Sequence, residues 1–452
     1  MENKEKIFLT DEEKTGKPRD LFFIWFAANM GILGIVYGAL IIGYGLSFTQ
    51  SILIAILGPL SFLLVGYASL AGRDTGAITF ILSRAAYGFK GNHIPALIGW
   101  AGQVGWLSVN VSTGTLTLLA LFSAFGISTN NLLILISLVI FAGLIVASSL
   151  FSHETLVSIQ TFFTYVFGAL TLLVILMLIP ETDWNSLFAM SSGPWLTGFF
   201  PALAFVIVGT GLTWTNASAD YSRFQKRSNK SSAIIGNVTF GAFIPLFVII
   251  STGILLATAA PELANAENPI LLISEILPEW MTIIYLFAAL GGLTPMCFIG
   301  LKSSRLIMST FNLAIKESTA ITIHAVIITL IPLYVLIVSK DFLGYFEAFL
   351  GILGIGLAAW VSIFMVDYIF LRRKQGYDPK LLEDVRYNSI NIGGVVSWIA
   401  GVIVGLIFTI FINSSFDMLV TFIISGGLYY ITNVHRNKQQ LQEGEKCQKN
   451  NT

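Results

Sequence analysis

Residues 27–34 read AANMGILG, and residues 209–216 read GTGLTWTN. Each run places two glycines beside polar side chains in the middle of an apolar segment, where a lipid-facing helix would favour leucine. Transporters bind their substrates at helices interrupted in this way, because the freed backbone groups face the ligand. Glycine alone is common in membrane helices, so the polar neighbours carry the inference. The two runs lie in the first and sixth apolar segments, which predicts two five-helix halves related as an inverted repeat.

The composition sets the class of the protein. Of the 452 residues, 55% are hydrophobic and 11% are charged, whereas a soluble protein would have about 25% charged residues. The chain is therefore expected to be an all-α, polytopic membrane protein. Apolar runs of about 20 residues are long enough to cross the bilayer. We predict twelve such spans, near residues 21–43, 50–71, 95–123, 131–150, 156–180, 195–217, 233–258, 280–301, 319–339, 344–371, 391–413 and 415–434.

The spans leave little room for a soluble domain. We expect an N-terminal tail at 1–20, a ten-helix core at 21–371 with repeats at about 21–180 and 195–371, a loop with spans 11 and 12 at 372–434, and a C-terminal tail at 435–452. No HExxH, GxSxG or Walker-type motif occurs, and such motifs carry the chemistry of many membrane enzymes and ATPases. We therefore expect a transporter rather than an enzyme, with no cofactor and no metal site.

The distribution of basic residues predicts the orientation. Lysine and arginine number 24 in the tails and even-numbered loops, and the odd-numbered loops hold one, Lys340. Because basic residues stay on the cytoplasmic side, both termini are expected to be cytoplasmic in a cell-membrane protein. Trp25, Trp195 and Trp280 lie near predicted span ends and are expected to anchor the chain at the membrane interface. The formal net charge of +0 gives no reason to expect nucleic acid as a partner.

Span 3 carries a polar stripe within GWAGQVGWLSVN, residues 99–110. At 3.6 residues per turn, Gln103, Trp106 and Asn110 lie on one helix face. Polar side chains at membrane depth are costly unless they meet a partner or line a cavity, so the stripe indicates the wall of a binding site. The alternative is that the amides join neighbouring helices by hydrogen bonds.

Several motifs are similar to those of one transporter family. They are LSRAAYG at 82–88, GN at 91–92, IP at 94–95, GWLSVN at 105–110, Trp214 with ADY at 219–221, and more loosely the stretch of span 10 from Phe349 through Trp360 to Asp367. Together they resemble the nucleobase-cation symporter family, most closely its purine-cytosine permease branch. The resemblance implies a LeuT-like fold of five plus five inverted helices with two extra C-terminal helices. It also implies uptake of a purine or cytosine by cation symport, with Trp106, Asn110 and Trp214 in the substrate site. We expect the monomer to be the functional unit.

The chemistry of a nucleobase agrees with these residues. A planar base needs aromatic rings on its two faces, and stacking on one ring is worth about 1–3 kcal/mol. Amide side chains at the rim both donate and accept hydrogen bonds and so can set specificity. The candidate substrate-binding residues are Trp106, Asn110, Gln103, Trp214, Asn29, Gly211 and Met296.

Span 8 departs from the family pattern. Met296 stands where the resemblance implies an asparagine that meets the substrate. The resemblance also implies a cation site at Ala28, Gly31 and Thr294, which offers few oxygens, so proton coupling is favoured over sodium coupling.

Three acidic residues are candidates for the coupling group: Asp220, Glu347 and Asp367. For Asp220 and Asp367, structural pairing with Arg223 or Arg372 is the competing interpretation.

Two alternatives remain open on the sequence. The same fold could carry a related heterocycle, namely allantoin, hydantoin, a nucleoside or a thiamin-precursor pyrimidine. A membrane channel or sensor is the alternative from another class, although broken spans favour a closed central site.

Overall fold

A computed structural model describes residues 8–31, 33–257, 260, 262–263, 269–412, 414 and 416–435. These residues form helices and no β-strand. Eleven helices are long and apolar enough to cross a membrane, and a twelfth span is broken into two helices bent by 63°. The spans are Pro18–Ala28 with Leu33–Gly43, Phe48–Thr75, His93–Ala124, Asn131–Leu150, His153–Glu181, Trp195–Ser222, Ser231–Leu256, Trp280–Ser309, Glu317–Ser339, Gly344–Gln375, Ile392–Ile412 and Asp417–Val434.

Side chains at the helix starts explain several of these boundaries. Ser47 accepts a hydrogen bond from the backbone N–H of Gln50, whose side chain returns to Ser47 as in a capping box. Asn130, Ser152 and Asp341 likewise accept backbone N–H groups at the starts of spans 4, 5 and 10. Each cap satisfies a donor that the first helical turn leaves free.

Spans 1 and 6 are interrupted where the sequence predicts. Span 1 stops as a helix at Ala28 and resumes at Leu33. Span 6 contains a non-helical residue, Thr210, with φ −123° and ψ −105°. Both breaks lie within the protein, because Ala28 and Thr210 are buried. Among the other eleven spans, spans 3, 6, 8 and 10 are the most buried.

The first described residues pack across one end of the bundle. The N–H of Leu9 donates to the carbonyl of Gly76 after span 2, and the N–H of Gly16 donates to the carbonyl of Phe224 after span 6. The ammonium group of Lys14 donates to the carbonyl of Arg73, at 3.1 Å. This end, which also carries the loops after the even-numbered spans, is called the tail face below.

Candidate functional site

The predicted stripe of span 3 is buried inside the bundle. Gln103, Trp106 and Asn110 are almost fully enclosed. Span 10 approaches this helix closely at Gly105, where a Cβ would lie 2.2 Å from the ring of Phe349. The glycine therefore lets an aromatic ring of span 10 reach the helix that carries the stripe.

Trp106 belongs to an aromatic wall drawn from four spans. Its ring meets Phe346 and Phe349 edge-on, with centroids 5.8 and 5.7 Å apart. Phe346 in turn meets Tyr37 of span 1 at 5.7 Å, and Tyr37 meets Phe205 of span 6 at 5.3 Å. The edge-on contacts with Phe346 and Phe349 hold the Trp106 ring in place.

Trp214 has a different aromatic neighbour. It packs edge-on against Trp25 of span 1, with a centroid distance of 5.4 Å. The prediction that Trp25 anchors the chain at the membrane interface is wrong, because its side chain is 0% exposed. The first helix begins at Pro18, so Trp25 lies about two turns after the helix start. Trp195 and Trp280 are 53% and 60% exposed, and their place at the membrane interface stays a prediction.

Two polar atoms of the stripe have no hydrogen-bond partner in the described part of the chain. They are the indole Nε1 of Trp106 and the amide Oδ1 of Asn110, and both atoms are buried. An unpaired buried polar group costs about 1–3 kcal/mol, so a native protein rarely keeps one without a use. Tyr37 adds a third such atom, its hydroxyl oxygen, to the aromatic wall. This wall thus offers hydrogen-bonding groups that a ligand could satisfy.

Gln103 is engaged within the protein. Its Nε2 donates to Oδ1 of Asn216 in span 6, at 2.6 Å, and Nδ2 of Asn216 donates to the carbonyl of Gly99, at 3.4 Å. The amide pair joins span 3 to the part of span 6 just after Trp214. Sequence reasoning did not single out Asn216, although a polar amide at membrane depth was the available signal.

Gly211 serves the packing of the span 6 break. A Cβ there would lie 2.4 Å from the backbone carbon of Ser61 in span 2, and the N–H of Gly211 donates to Oγ of Ser61 at 3.1 Å. Two threonine hydroxyls donate hydrogen bonds to carbonyl groups one turn earlier. The Thr210 hydroxyl donates to the carbonyl of Val206, and the Thr215 hydroxyl donates to the carbonyl of Gly211. The break is therefore stabilised by local hydrogen bonds.

Asn29 caps the first half of span 1. Its side-chain Nδ2 donates to the carbonyl of Trp25, at 2.8 Å. The amide thus satisfies one carbonyl that the broken helix leaves free.

The residues of the predicted cation site lie where span 1 meets span 8. A Cβ on Gly292 would lie 2.6 Å from the carbonyl oxygen of Met30, and a Cβ on Gly31 would lie 3.8 Å from the carbonyl oxygen of Gly292. Ala28 is buried, and the hydroxyl of Thr294 donates to the carbonyl of Leu290 at 2.7 Å. The break of span 1 thus packs on span 8 at Gly292, two residues before Thr294.

An amide from span 5 reaches span 8 beside Met296. Gln160 is fully buried, and its Nε2 donates to the carbonyl of Pro295, at 2.9 Å. Its Oε1 has no partner among the described residues. Met296 itself is half-buried. Gln160 therefore supplies an amide in the region where the family resemblance implies an asparagine. No spacing in the sequence assigns Gln160 to this place.

The three acidic candidates have different surroundings. Asp220 is buried, and its Oδ1 accepts from both the N–H and the hydroxyl of Thr79, at 3.0 and 2.9 Å. Asp367 is also buried and accepts from Arg372 at 3.1 Å and from Tyr429 at 2.8 Å. The predicted pairing of Asp367 with Arg372 is confirmed. Glu347 is exposed at the opposite end of the bundle from the tail face.

A family comparison decides the identity of the chain. Residues 8–430 match the model of a family described as permeases for cytosine/purines, uracil, thiamine and allantoin. The chain belongs to this family. The permease is thus a secondary transporter and not an enzyme, and it is a multi-pass membrane protein.

Two relatives extend along most of the permease. YxlA of Bacillus subtilis (strain 168) is 27% identical over 430 residues, which cover 90% of the permease and 88% of YxlA. The purine-cytosine permease FCY2 of Saccharomyces cerevisiae is 25% identical over 418 residues, which cover 87% of the permease and 76% of FCY2.

Solved structures confirm the predicted fold class. Mhp1, a nucleobase-cation-symport-1 family transporter in a closed conformation with bromovinylhydantoin bound, has a TM-score of 0.76 at 16% identity and 94% coverage of both chains. A Na⁺-coupled sialic acid symporter has a TM-score of 0.61 at 13% identity, covering 93% of the permease and 90% of its own chain. The permease is therefore an all-α protein with the LeuT-like five-plus-five inverted repeat and two further C-terminal helices.

Proposed function

We propose that this permease imports a nucleobase, cytosine or a purine, across the cell membrane by cation symport. The base stacks between Trp106 and Trp214 and hydrogen-bonds to the amide of Asn110. The helices then rock so that the site opens alternately to the two sides. The transport unit is the ten-helix core of residues 21–371, it works as a monomer, and both termini are cytoplasmic.

The observation that carries the proposal is the pair of unpartnered atoms on span 3. The indole Nε1 of Trp106 and the carbonyl Oδ1 of Asn110 provide one donor and one acceptor on the same helix face. A nucleobase offers both kinds of group at its rim, and its flat face fits an aromatic plate. The family description, which includes cytosine and purines, supports this class of substrate.

In this proposal Trp214 provides the second stacking surface, and Gln103 positions a helix rather than binding the base. Within the described residues, the structure records no ring contact between Trp106 and Trp214, so the two indoles belong to separate aromatic groups. A planar ligand between them would connect those groups. Because Gln103 is held by Asn216, it acts by fixing span 6 beside span 3 rather than by a free amide.

We assign the coupling ion as a proton. The predicted cation site offers few oxygens, namely the Thr294 hydroxyl and the backbone carbonyls of Ala28 and Gly31. Among the acidic candidates, Asp367 forms an ion pair with Arg372 and Glu347 is exposed, which leaves the buried Asp220 as the proposed group that exchanges the proton.

Uptake into proteoliposomes tests the function. With an inward proton gradient and no sodium, wild-type permease should accumulate labelled cytosine or hypoxanthine above the external concentration, with saturable kinetics. Trp106→Ala should abolish this uptake while the thermal unfolding profile stays that of a folded protein. Unchanged uptake by that variant would exclude the proposed site, and uptake driven by sodium alone would exclude proton coupling.

The same assay separates the alternatives. Competition by allantoin, hydantoin, a nucleoside or a thiamin-precursor pyrimidine, without competition by cytosine or purines, would assign a different heterocycle to the same site. Flux that neither saturates nor runs uphill would indicate a channel, and binding without any flux would indicate a sensor.

A further inference from the structure

A second pocket lies at the tail face, away from the aromatic wall. Its volume is about 380 Å³, near the lower end of the range of about 300–1,000 Å³ typical of ligand pockets. The ends of span 2 and span 10 and the short helix Pro379–Glu383 line it, together with Phe8 and with Arg227 from the loop after span 6. The pocket therefore joins parts of both structural repeats.

Basic side chains dominate the lining. Arg227, Arg372, Arg373 and Lys374 contribute four positive charges. Arg372 is paired with Asp367, but no carboxylate of the described residues forms an ion pair with the other three.

The acidic residues in and near the pocket are largely committed elsewhere. Asp74 is paired with Arg73 at 2.7 Å and accepts a hydrogen bond from Tyr368 at 3.3 Å. Asp11, the acidic neighbour of Arg227, is paired with Lys14. Glu383 is left as the one lining carboxylate that is free of such a pair in the described structure. The lining thus has an excess of positive charge.

A tyrosine hydroxyl adds a hydrogen-bond donor. The Tyr377 oxygen is buried and has no hydrogen-bond partner among the described residues, and Tyr377 lines the pocket. Burial raises the pKa of Tyr377 well above the usual tyrosine value, so the hydroxyl stays protonated at physiological pH. A ligand with acceptor oxygens would satisfy this donor.

We propose that this pocket binds a phosphate group, through Arg227, Arg373, Lys374 and the Tyr377 hydroxyl. Phosphate carries negative charge and several acceptor oxygens, which suit the fork of arginine and the point charge of lysine. The group comes either from an anionic phospholipid of the cytoplasmic leaflet or from a soluble phosphate. A bound phosphate would connect the loop after span 6, which carries Arg227, to the end of span 10, which carries Arg373 and Lys374.

Thermal unfolding of the purified full-length permease in detergent tests this site. The probes are short-chain phosphatidylglycerol and inorganic phosphate, with phosphatidylcholine and sodium chloride at matched ionic strength as references. A ligand of the folded state should raise the unfolding temperature saturably. The combined variant Arg227→Gln/Arg373→Gln/Lys374→Gln should weaken the apparent affinity tenfold or more. Tyr377→Phe should weaken it about tenfold with every charge intact.

A matched variant controls for the loss of charge. Lys90→Gln/Lys316→Gln/Arg386→Gln removes the same charge from exposed tail-face positions outside the pocket and should leave the affinity unchanged. A response to phosphatidylglycerol alone assigns a lipid headgroup, and a response to inorganic phosphate assigns a soluble ligand. If neither probe exceeds the references, or if the control variant weakens binding equally, the proposal fails. The result does not depend on nucleobase uptake, so it can fail independently of the proposed function.

Discussion

Asn110 presents a buried carbonyl oxygen that no group in the described part of the permease uses. If this oxygen accepts a hydrogen bond from the substrate, Asn110→Leu should lower the efficiency of uptake, because a hydrogen bond to a buried group is worth about 1–3 kcal/mol. We expect a loss of about tenfold or more in kcat/KM for nucleobase uptake. Ser112→Ala is the matched control, since the Ser112 hydroxyl only donates to the carbonyl of Ser108 in its own helix. Equal activity of wild type and Asn110→Leu would remove Asn110 from the site.

The residue scale also shows what the sequence could predict of the candidate site. The helical period places Gln103, Trp106 and Asn110 on one face, and all three are buried. The period cannot tell which facing helix meets each side chain, so the bond from Gln103 to Asn216 was not foreseen. The error at Trp25 has a similar origin, because its depth depends on the helix starting at Pro18.

At the scale of helices, the contact between the second half of span 1 and span 7 depends on two glycines. A Cβ on Gly253 would lie 2.0 Å from the carbonyl oxygen of Ile35, and a Cβ on Gly38 would lie 2.2 Å from the carbonyl oxygen of Ile250. Both obstacles are backbone atoms, which a change of rotamer cannot move. The two helices therefore come this close only because neither glycine has a side chain.

We expect Gly253→Ala to destabilise the permease by about 1–3 kcal/mol, the usual cost of overpacking. Gly236→Ala in the same helix is the matched control, because no atom lies within 4 Å of its Cβ position. Thermal unfolding should show a lower midpoint for Gly253→Ala and an unchanged or slightly higher midpoint for Gly236→Ala. Equal unfolding midpoints for the two variants would mean that span 1 and span 7 can move apart at little cost in free energy.

The helices were the most predictable part of the structure. The bilayer fixes the length of an apolar span, so the apolar runs placed most span bounds within about four residues. The exceptions are the ends of spans 6 and 8, which the structure places at Ser222 and Ser309 rather than at 217 and 301. The breaks of spans 1 and 6 were predictable for another reason: glycines beside polar residues are costly in a lipid-facing helix. The amide of Gln160 beside Met296 was not predictable, because it depends on how spans 5 and 8 pack against each other.

At the scale of the whole molecule, the formal net charge is +0, but the basic residues are distributed unevenly between the two ends of the bundle. Almost all basic residues belong to the tails and the even-numbered loops, and the even-numbered loops lie at the tail face. The positive-inside rule then predicts that this face is cytoplasmic. The phosphate-binding pocket would consequently face the cytoplasm and its anionic lipid leaflet.

Cysteine labelling tests this orientation with the two natural cysteines. Cys297 is fully buried, and Cys447 belongs to the C-terminal tail, outside the described residues. A membrane-impermeant maleimide should therefore label the permease in permeabilised cells but not in intact cells, and Cys447→Ser should abolish the labelling. Ser192→Cys is the matched reporter, because Ser192 is exposed in the loop before span 6. In the Cys447→Ser background it should be labelled in intact cells, since that loop lies across the membrane from the tail face. The opposite pattern would reverse the topology and with it the direction in which the gradient drives the substrate.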